Sequence, residues 1–335
     1  MGSPHSFRAA LYGLAVLLLP AAAYPVAARA GGSLSIEVLP PATILLDGPI
    51  DERAAQRLRE EIAARDLASA TVVLNSPGGL LLEGMALGQV IRQLGFSTSV
   101  AKGGVCHSAC VFALLGGVYR FAAPQSSIGV HRFSSGSAAV DADTVQVVAA
   151  AVVSYIRQMG ADVDLFDRMT RKGSGQILVL GEKELRQLRV INDGRLGAQW
   201  ALQAQGATIV LKGTQETADG KAQVQLSCQD DQVLFQPLFA AGERADELVN
   251  SAQRHLMRLG EGFVPLPQPV EPLSAHEGDV SATFALGPGQ LKRLGSTESV
   301  GYAIESSGSS SGFAVDTAGG GAESIRNFLA SCGGR

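Results

Sequence analysis

Before about residue 205, short β-rich runs alternate with helical patterns. That alternation restricts the chain to an α/β fold with crossover connections. "TILLDG" (43–48) reads as a strand. "DERAAQRLREEIAARD" (51–66) reads as an amphipathic helix with Ala54, Leu58 and Ile62 on one face. "TVVLN" (71–75) is a short buried strand, "SPGG" (76–79) a turn, "LLLEGMALGQVIRQL" (80–94) a helix and "STSVA" (97–101) a strand. A helix then runs through Leu115, followed by strands at 118–122 and 128–133. A Ser/Gly loop at 134–138 precedes an Ala/Val-rich helix over 141–160.

Near residue 205 the texture changes. "ATIVLKG", "AQVQLSC", "VSATFAL", "SVGYAIES" and "GFAVDT" read as strands of an antiparallel sheet, and "AESIRNFLASC" as a closing helix. "PLPQPVEP" (265–272) is a proline-rich connector. The expected organisation is a signal segment at 1–30, an α/β domain at 31–204 and a smaller α+β antiparallel domain at 205–335. Glu243, Asp246 and Glu247 read as a solvated helix face in the last of these, and no catalytic set stands out there.

The N-terminus reads as an export signal. His5 and Arg8 precede an apolar stretch broken by Pro20 and Pro25, and Ala28 and Ala30 fit a small-residue cleavage site. The uninterrupted apolar part is shorter than the ~20 residues of a spanning helix. Charged residues make up 17% and the net charge is −4, with the basic residues scattered, which argues against nucleic acid or an anionic membrane as partner.

Export bears on the four cysteines, Cys106, Cys110, Cys228 and Cys332. None has zinc spacing, so no metal is expected. A Cys228–Cys332 bridge would close a loop of about a hundred residues, worth ~4–5 kcal/mol in the entropic account. Cys106 and Cys110, four apart on one helical turn, stand at the long edge of the allowed Cα separation. Two small buried residues packing a turn are the plainer reading of that pair.

Three pieces carry the candidate chemistry: Asn75-Ser76-Pro77-Gly78-Gly79, Gly104-Val105-Cys106-His107-Ser108-Ala109, and Pro124 followed by Ile128-Gly129-Val130-His131. Singly they read as a turn, an N-cap serine and a structural histidine. Together they supply an acyl-transfer site. Ser108 begins a helix, so its hydroxyl could be exposed and the Ala109 amide free. The Gly79 amide can approach closely because no Cβ intervenes. Two such amides make an oxyanion hole, and His131 could take the Ser108 proton. His107 adjoins the serine without a role in this reading.

In order and spacing, residues 43 to 195 resemble the ClpP/crotonase superfamily, and the ClpP-type serine peptidases in particular. "LNSPGGLLLEGMALGQVIR" is similar to the family's N-S-P-G-G element and following helix. "GGVCHSACVFALLGGVYRFAAPQSSIGVHR" is similar to its nucleophile helix, short strand and histidine strand. The resemblance implies a spiral of ββα units, with Ser108 as nucleophile, His131 as general base, and the Gly79 and Ala109 amides as oxyanion hole. It implies no cofactor. The small-Cys-x-Ser-x-Cys variant beside an export signal resembles exported, ATPase-independent ClpP-like proteins, so no ATPase partner is expected.

The family's third triad member is an aspartate, and Ser174-Gly175-Gln176 stand about where it should be. Gln176 is the candidate orienter of the histidine. Asp162, Asp164 and Asp167 lie nearby on a helix pattern, and Lys172 would serve a Ser–Lys dyad instead.

The expected function is therefore an exported, ATP-independent serine hydrolase, a peptidase, acting on peptide or protein substrate in the bacterial periplasm. The alternatives are a catalytically weak relative that binds or scaffolds in the cell envelope, and a crotonase-like acyl-CoA enzyme. The latter would leave the Ser–His pair without a task. The run "VQVVAAAVVSYI" is too apolar for one solvated face, which points to a homo-oligomer through that helix or to its cover by the second domain.

Overall fold

The computed structural model describes residues 32–133, 141–206, 208–230, 232–307 and 309–332. The expected signal segment and the Ser/Gly loop at 134–138 lie outside them. Two compact units divide the chain after Gly194. The boundary expected near residue 205 therefore falls inside the second unit, because Gln199–Gln205 pairs antiparallel with Thr208–Thr217. That strand's side chains are nearly all exposed, so its sequence carries no period-two burial signal.

The first unit opens with an antiparallel pair, β1 (Ser35–Leu39) and β2 (Thr43–Asp47). α1 (Ala54–Ala64), β3 (Thr71–Asn75), α2 (Leu81–Gln93), β4 (Ser97–Val100), β5 (Val105–His107), α3 (Ala109–Gly116), β6 (Arg120–Ala122) and β7 (Ser127–Val130) follow. α4 (Ala142–Gln158), α5 (Asp164–Thr170), β8 (Leu178–Val179) and α6 (Glu182–Gln187) complete it. One sheet has the order β1-β2-β3-β4-β6 and a second the order β5-β7-β8. From β2 to β6 all pairings in the first sheet are parallel, as the crossover helices require. Period-two burial is plain in β2 (Ile44, Leu46) and β3 (Val72, Leu74). α1 buries Ala54, Leu58 and Ile62, the face expected for it.

α3 is different: every one of its residues is buried. A helix apolar all round belongs in the core. α2 comes close enough to it that a Cβ on Gly88 would lie 2.4 Å from the Phe112 carbonyl oxygen. Tyr155 of α4 donates its hydroxyl to that carbonyl at 2.6 Å. The C-terminal carbonyls of α3 have no intrahelical partners, and two arginines take them up. Arg92 donates to Leu115, Gly116 and Gly117, and Arg120 to Gly117 and Met159. Burial, followed by the neighbouring Arg92 and Arg189, pulls the Arg120 guanidinium down to about 10. The negative end of the helix dipole favours cations at this position.

The second unit is antiparallel throughout. β9 (Gln199–Gln205), β10 (Thr208–Thr217), β11 (Gly220–Gln229) and β12 (Gln232–Ala240) form a meander. α7 (Ala245–Ser251), β13 (Arg254–Leu259), β14 (Gly262–Pro265), β15 (Glu271–His276), β16 (Asp279–Ala285), α8 (Pro288–Leu294), β17 (Ser299–Ser306), β18 (Ser309–Asp316) and α9 (Gly321–Cys332) follow. The sheets have the orders β15-β16-β12-β11-β10-β9 and β14-β13-β17-β18. Phe235, Phe284 and Tyr302 fill its core. Asp246 and Glu247 are exposed on α7 and Glu243 on the turn before it, as expected of a solvated face. Arg195 and Gln215 both bond Asp316, which fastens the start of the unit to β18.

Cys228 on β11 is joined to Cys332 at the end of α9, as expected. Ile325, Phe328 and Cys332 are the buried stripe of α9. No helix among the described residues is long and apolar enough to cross a membrane. Replacing both cysteines (Cys228→Ser with Cys332→Ser) is expected to cost the second unit ~2–5 kcal/mol. The check is its urea midpoint, beside a non-reduced digest of the wild type carrying the bridged peptide.

Candidate active site

The chain between β3 and α2 is anchored from three sides. Asn75 Nδ2 donates to Asp47 at 2.7 Å, while Asn75 Oδ1 accepts the Val105 amide at 3.0 Å. Ser76 is buried; its amide donates to Val105 O and its own carbonyl accepts from the His107 amide. Its hydroxyl accepts the Gly78 amide at 3.1 Å. These bonds extend β3 alongside β5 and bring Gly78 against the β5–α3 junction. A Cβ on Gly78 would lie 2.7 Å from Ser108 Cβ, and one on Gly79 would lie 2.1 Å from the Ile50 carbonyl oxygen. No other residue type permits these approaches.

Ser108 occupies the N-cap of α3 with φ 54° and ψ −123°. An L-residue there carries backbone strain of order 1–3 kcal/mol, held only where the surroundings over-determine it. Its amide donates to the Gly129 carbonyl at 2.9 Å. Its hydroxyl makes no hydrogen bond among the described residues. The amides of Gly79 and Ala109 likewise donate no backbone hydrogen bond among the described residues, the second because it opens α3.

Ser108, Gly79 and His131 line one cavity of about 170 Å³. Its remaining wall is apolar, from Leu80, Leu81, Phe112, Val130, Phe133 and Met169. His131 follows the last residue of β7. Ser108 and His131 share no hydrogen bond here; instead His131 Nδ1 lies 2.8 Å from the Arg132 carbonyl oxygen. A carbonyl only accepts, so Nδ1 donates to it, and Nε2 is left without a hydrogen-bond partner among the described residues. Arg132 is held in turn by Lys172 O and Thr170 O.

Gln176, the expected orienter, is exposed, lies outside the cavity wall and makes no hydrogen bond to His131. Its amide closes a turn onto Gly173, which spends the segment on reaching β8 rather than on the imidazole. Of the nearby carboxylates, Asp167 pairs with Arg168 and Arg171.

Two features were not legible in the sequence. Cys106 and Cys110 are bridged across Ser108, with Cα atoms 5.2 Å apart. The pair does not share a helical turn: Cys106 is on strand β5 and the helix begins at Ala109. The strand-to-helix bend brings the two closer than an α-helix would. His107 is the second. Its Nε2 lies 2.8 Å from Ser127 Oγ, and burial, then the proximity of His131, lowers its pKa.

The family model of the Clp protease matches residues 33–174. The first unit is a ClpP-like domain. The match supports a peptidase-like function for it. Among solved structures, the ClpP-like region is similar to the membrane-bound stomatin-specific protease 1510-N: 18% identity, 45% of this chain and 75% of that chain, TM-score 0.34. It is similar also to ClpP1 from Listeria monocytogenes: 16% identity, 44% and 88% of the two chains, TM-score 0.38. No curated protein matches the chain.

His107 of the ClpP-like domain gives a pH dependence of definite sign. Its folded pKa lies below that of an unfolded histidine, about 6.5, so the unfolded chain binds the proton more readily. The stability it contributes is complete above that value and falls as pH drops through it toward the folded pKa. The expected outcome is a smaller loss of stability between neutral and mildly acidic pH in His107→Gln than in wild type, read from urea unfolding at each pH.

Proposed function

We propose that this protein is an exported, ATP-independent serine peptidase working through a Ser108–His131 dyad. The observation that carries the reading is that a left-handed serine, a histidine with a free Nε2 and Gly79, whose amide is unengaged, line one cavity, with the unengaged Ala109 amide next in the chain to the serine. Ser108 Oγ attacks the scissile carbonyl while His131 Nε2 takes its proton. The Gly79 and Ala109 amides receive the oxyanion. His131 then gives the proton to the leaving amine, and a water activated by the same nitrogen releases the acyl group. A triad aspartate chiefly fixes tautomer and orientation. Here the Arg132 carbonyl does the first of these at Nδ1. The apolar wall suits a substrate side chain without charge.

Export rests on the N-terminal signal pattern and on the oxidised state of both cysteine pairs, which suits the periplasm. A binding module built on the same domain is the second reading. It is favoured by the missing Ser108–His131 hydrogen bond and by the absence, among the described residues, of a carboxylate bonded to His131. Self-association through α4 belongs to the proposal too: Ala142 to Val147 are exposed, Val145 and Val147 included.

A fluorophosphonate probe separates the two readings. Labelling of the mature protein, none in Ser108→Ala, and a rate lower by about 10²–10⁴ in His131→Gln are expected. An unlabelled wild type favours the binding module. For α4, light scattering is expected to give a multiple of the chain mass for the wild type and a smaller mass for Val147→Asp. A monomeric wild type at micromolar concentration ends the proposal of self-association.

A further inference from the structure

We propose that the Cys106–Cys110 disulfide is a positioning element for the nucleophile, holding the turn that carries Ser108 in the one backbone conformation that aims its hydroxyl into the cavity. This rests on the serine-peptidase reading. The bridge ties the middle of β5 to the second residue of α3, and Ser108 lies midway between its ends. Cys106 is registered opposite Ile128 of β7, so one end of the bridge is fixed in the sheet. Cys110 lies in the wholly buried α3, so the other end is fixed in the core. Both cysteines are fully buried.

Between these anchors the backbone adopts φ 54° at a residue with a Cβ. Such a conformation relaxes unless something opposes it. The backbone bonds that oppose it are Ser108 N to Gly129 O and His107 N to Ser76 O, both on the strand side of the turn. On the helix side the Val111 amide merely caps back onto Ser108 itself. The disulfide is the one covalent tie among these that spans the turn. A relaxed turn would swing Oγ and the Ala109 amide together, and would remove nucleophile and oxyanion donor in one motion.

The two disulfides differ in what they constrain. Cys228–Cys332 joins residues 104 apart and restricts the unfolded chain strongly, whereas Cys106–Cys110 joins residues 4 apart and restricts it little. The short bridge therefore acts on local geometry and the long one on global stability.

The test pairs the two double variants. In Cys106→Ala/Cys110→Ala, the fluorophosphonate labelling rate and kcat on a peptide ester are expected to fall by about tenfold or more with KM little changed, while the urea midpoint moves little. In Cys228→Ser/Cys332→Ser the midpoint falls and the labelling rate stays at the wild-type value.

A second measurement needs no variant. Wild type partly reduced with a phosphine is labelled, then alkylated and digested with trypsin. Residues 103 to 120 form one peptide holding Ser108 and both cysteines. Probe on Ser108 is expected in peptides whose bridge stayed closed and depleted in those whose thiols were alkylated. Equal labelling of open and closed peptides, or a wild-type rate in the alanine pair, overturns the proposal while leaving the serine-peptidase reading intact. A wild type that takes no probe overturns both.

Discussion

A helix buried on every side must have both of its ends satisfied inside the protein. α3 meets that requirement unequally. Its C-terminal carbonyls are taken up by Arg92 and Arg120, two cations with no carboxylate hydrogen-bond partner among the described residues, set against the negative end of the dipole. Its N-terminus is left open, with Ser108 at the cap and the Ala109 amide unengaged. The close approach of α2 at Gly88 and the Tyr155 hydroxyl on Phe112 hold the helix in place along its length. The candidate site is the unsatisfied end of the most buried element in the domain.

The surrounding elements serve that end. Asn75 and Ser76 extend β3 beside β5 and bring Gly78 to contact distance of the serine turn. β7 supplies both the carbonyl that holds the Ser108 amide and the strand from which His131 emerges. The Arg132 carbonyl fixes the imidazole tautomer, and Lys172 and Thr170 fix Arg132. The acceptor at Nδ1 is thus the backbone carbonyl of the next residue, with Thr170 and Lys172 holding that residue from the far side. A neutral acceptor orients the ring without the charge that would stabilise an imidazolium.

Much of the first unit was legible because its signals are local. Ile44 and Leu46, then Val72 and Leu74, alternate in the sequence and in burial. Ala54, Leu58 and Ile62 recur at helical spacing and form the buried face of α1. The candidate serine, histidine and two oxyanion amides were named from glycine placement, motif order and the family resemblance, and the structure puts Ser108, Gly79 and His131 on one cavity. The second unit was less legible: β9 is polar and exposed, so the boundary was set ten residues late. Gln176 was assigned by its place in the chain; there the chain leads into β8 against β7, and the Gln176 side chain is left exposed with no hydrogen bond to His131.

What the sequence by itself determined is most of the periodic strands and helices of the first unit, the ClpP-like order of motifs and the glycine-rich turn after β3. Periodicity and backbone permissiveness are properties of a few consecutive residues. The tertiary structure alone decided which nitrogen of His131 is free, which carbonyls Arg92 and Arg120 reach, and that Cys106 faces Cys110 across a bend rather than along a helix. Each of these depends on where backbone groups from separate segments come to rest against one another, and no local pattern encodes that distance.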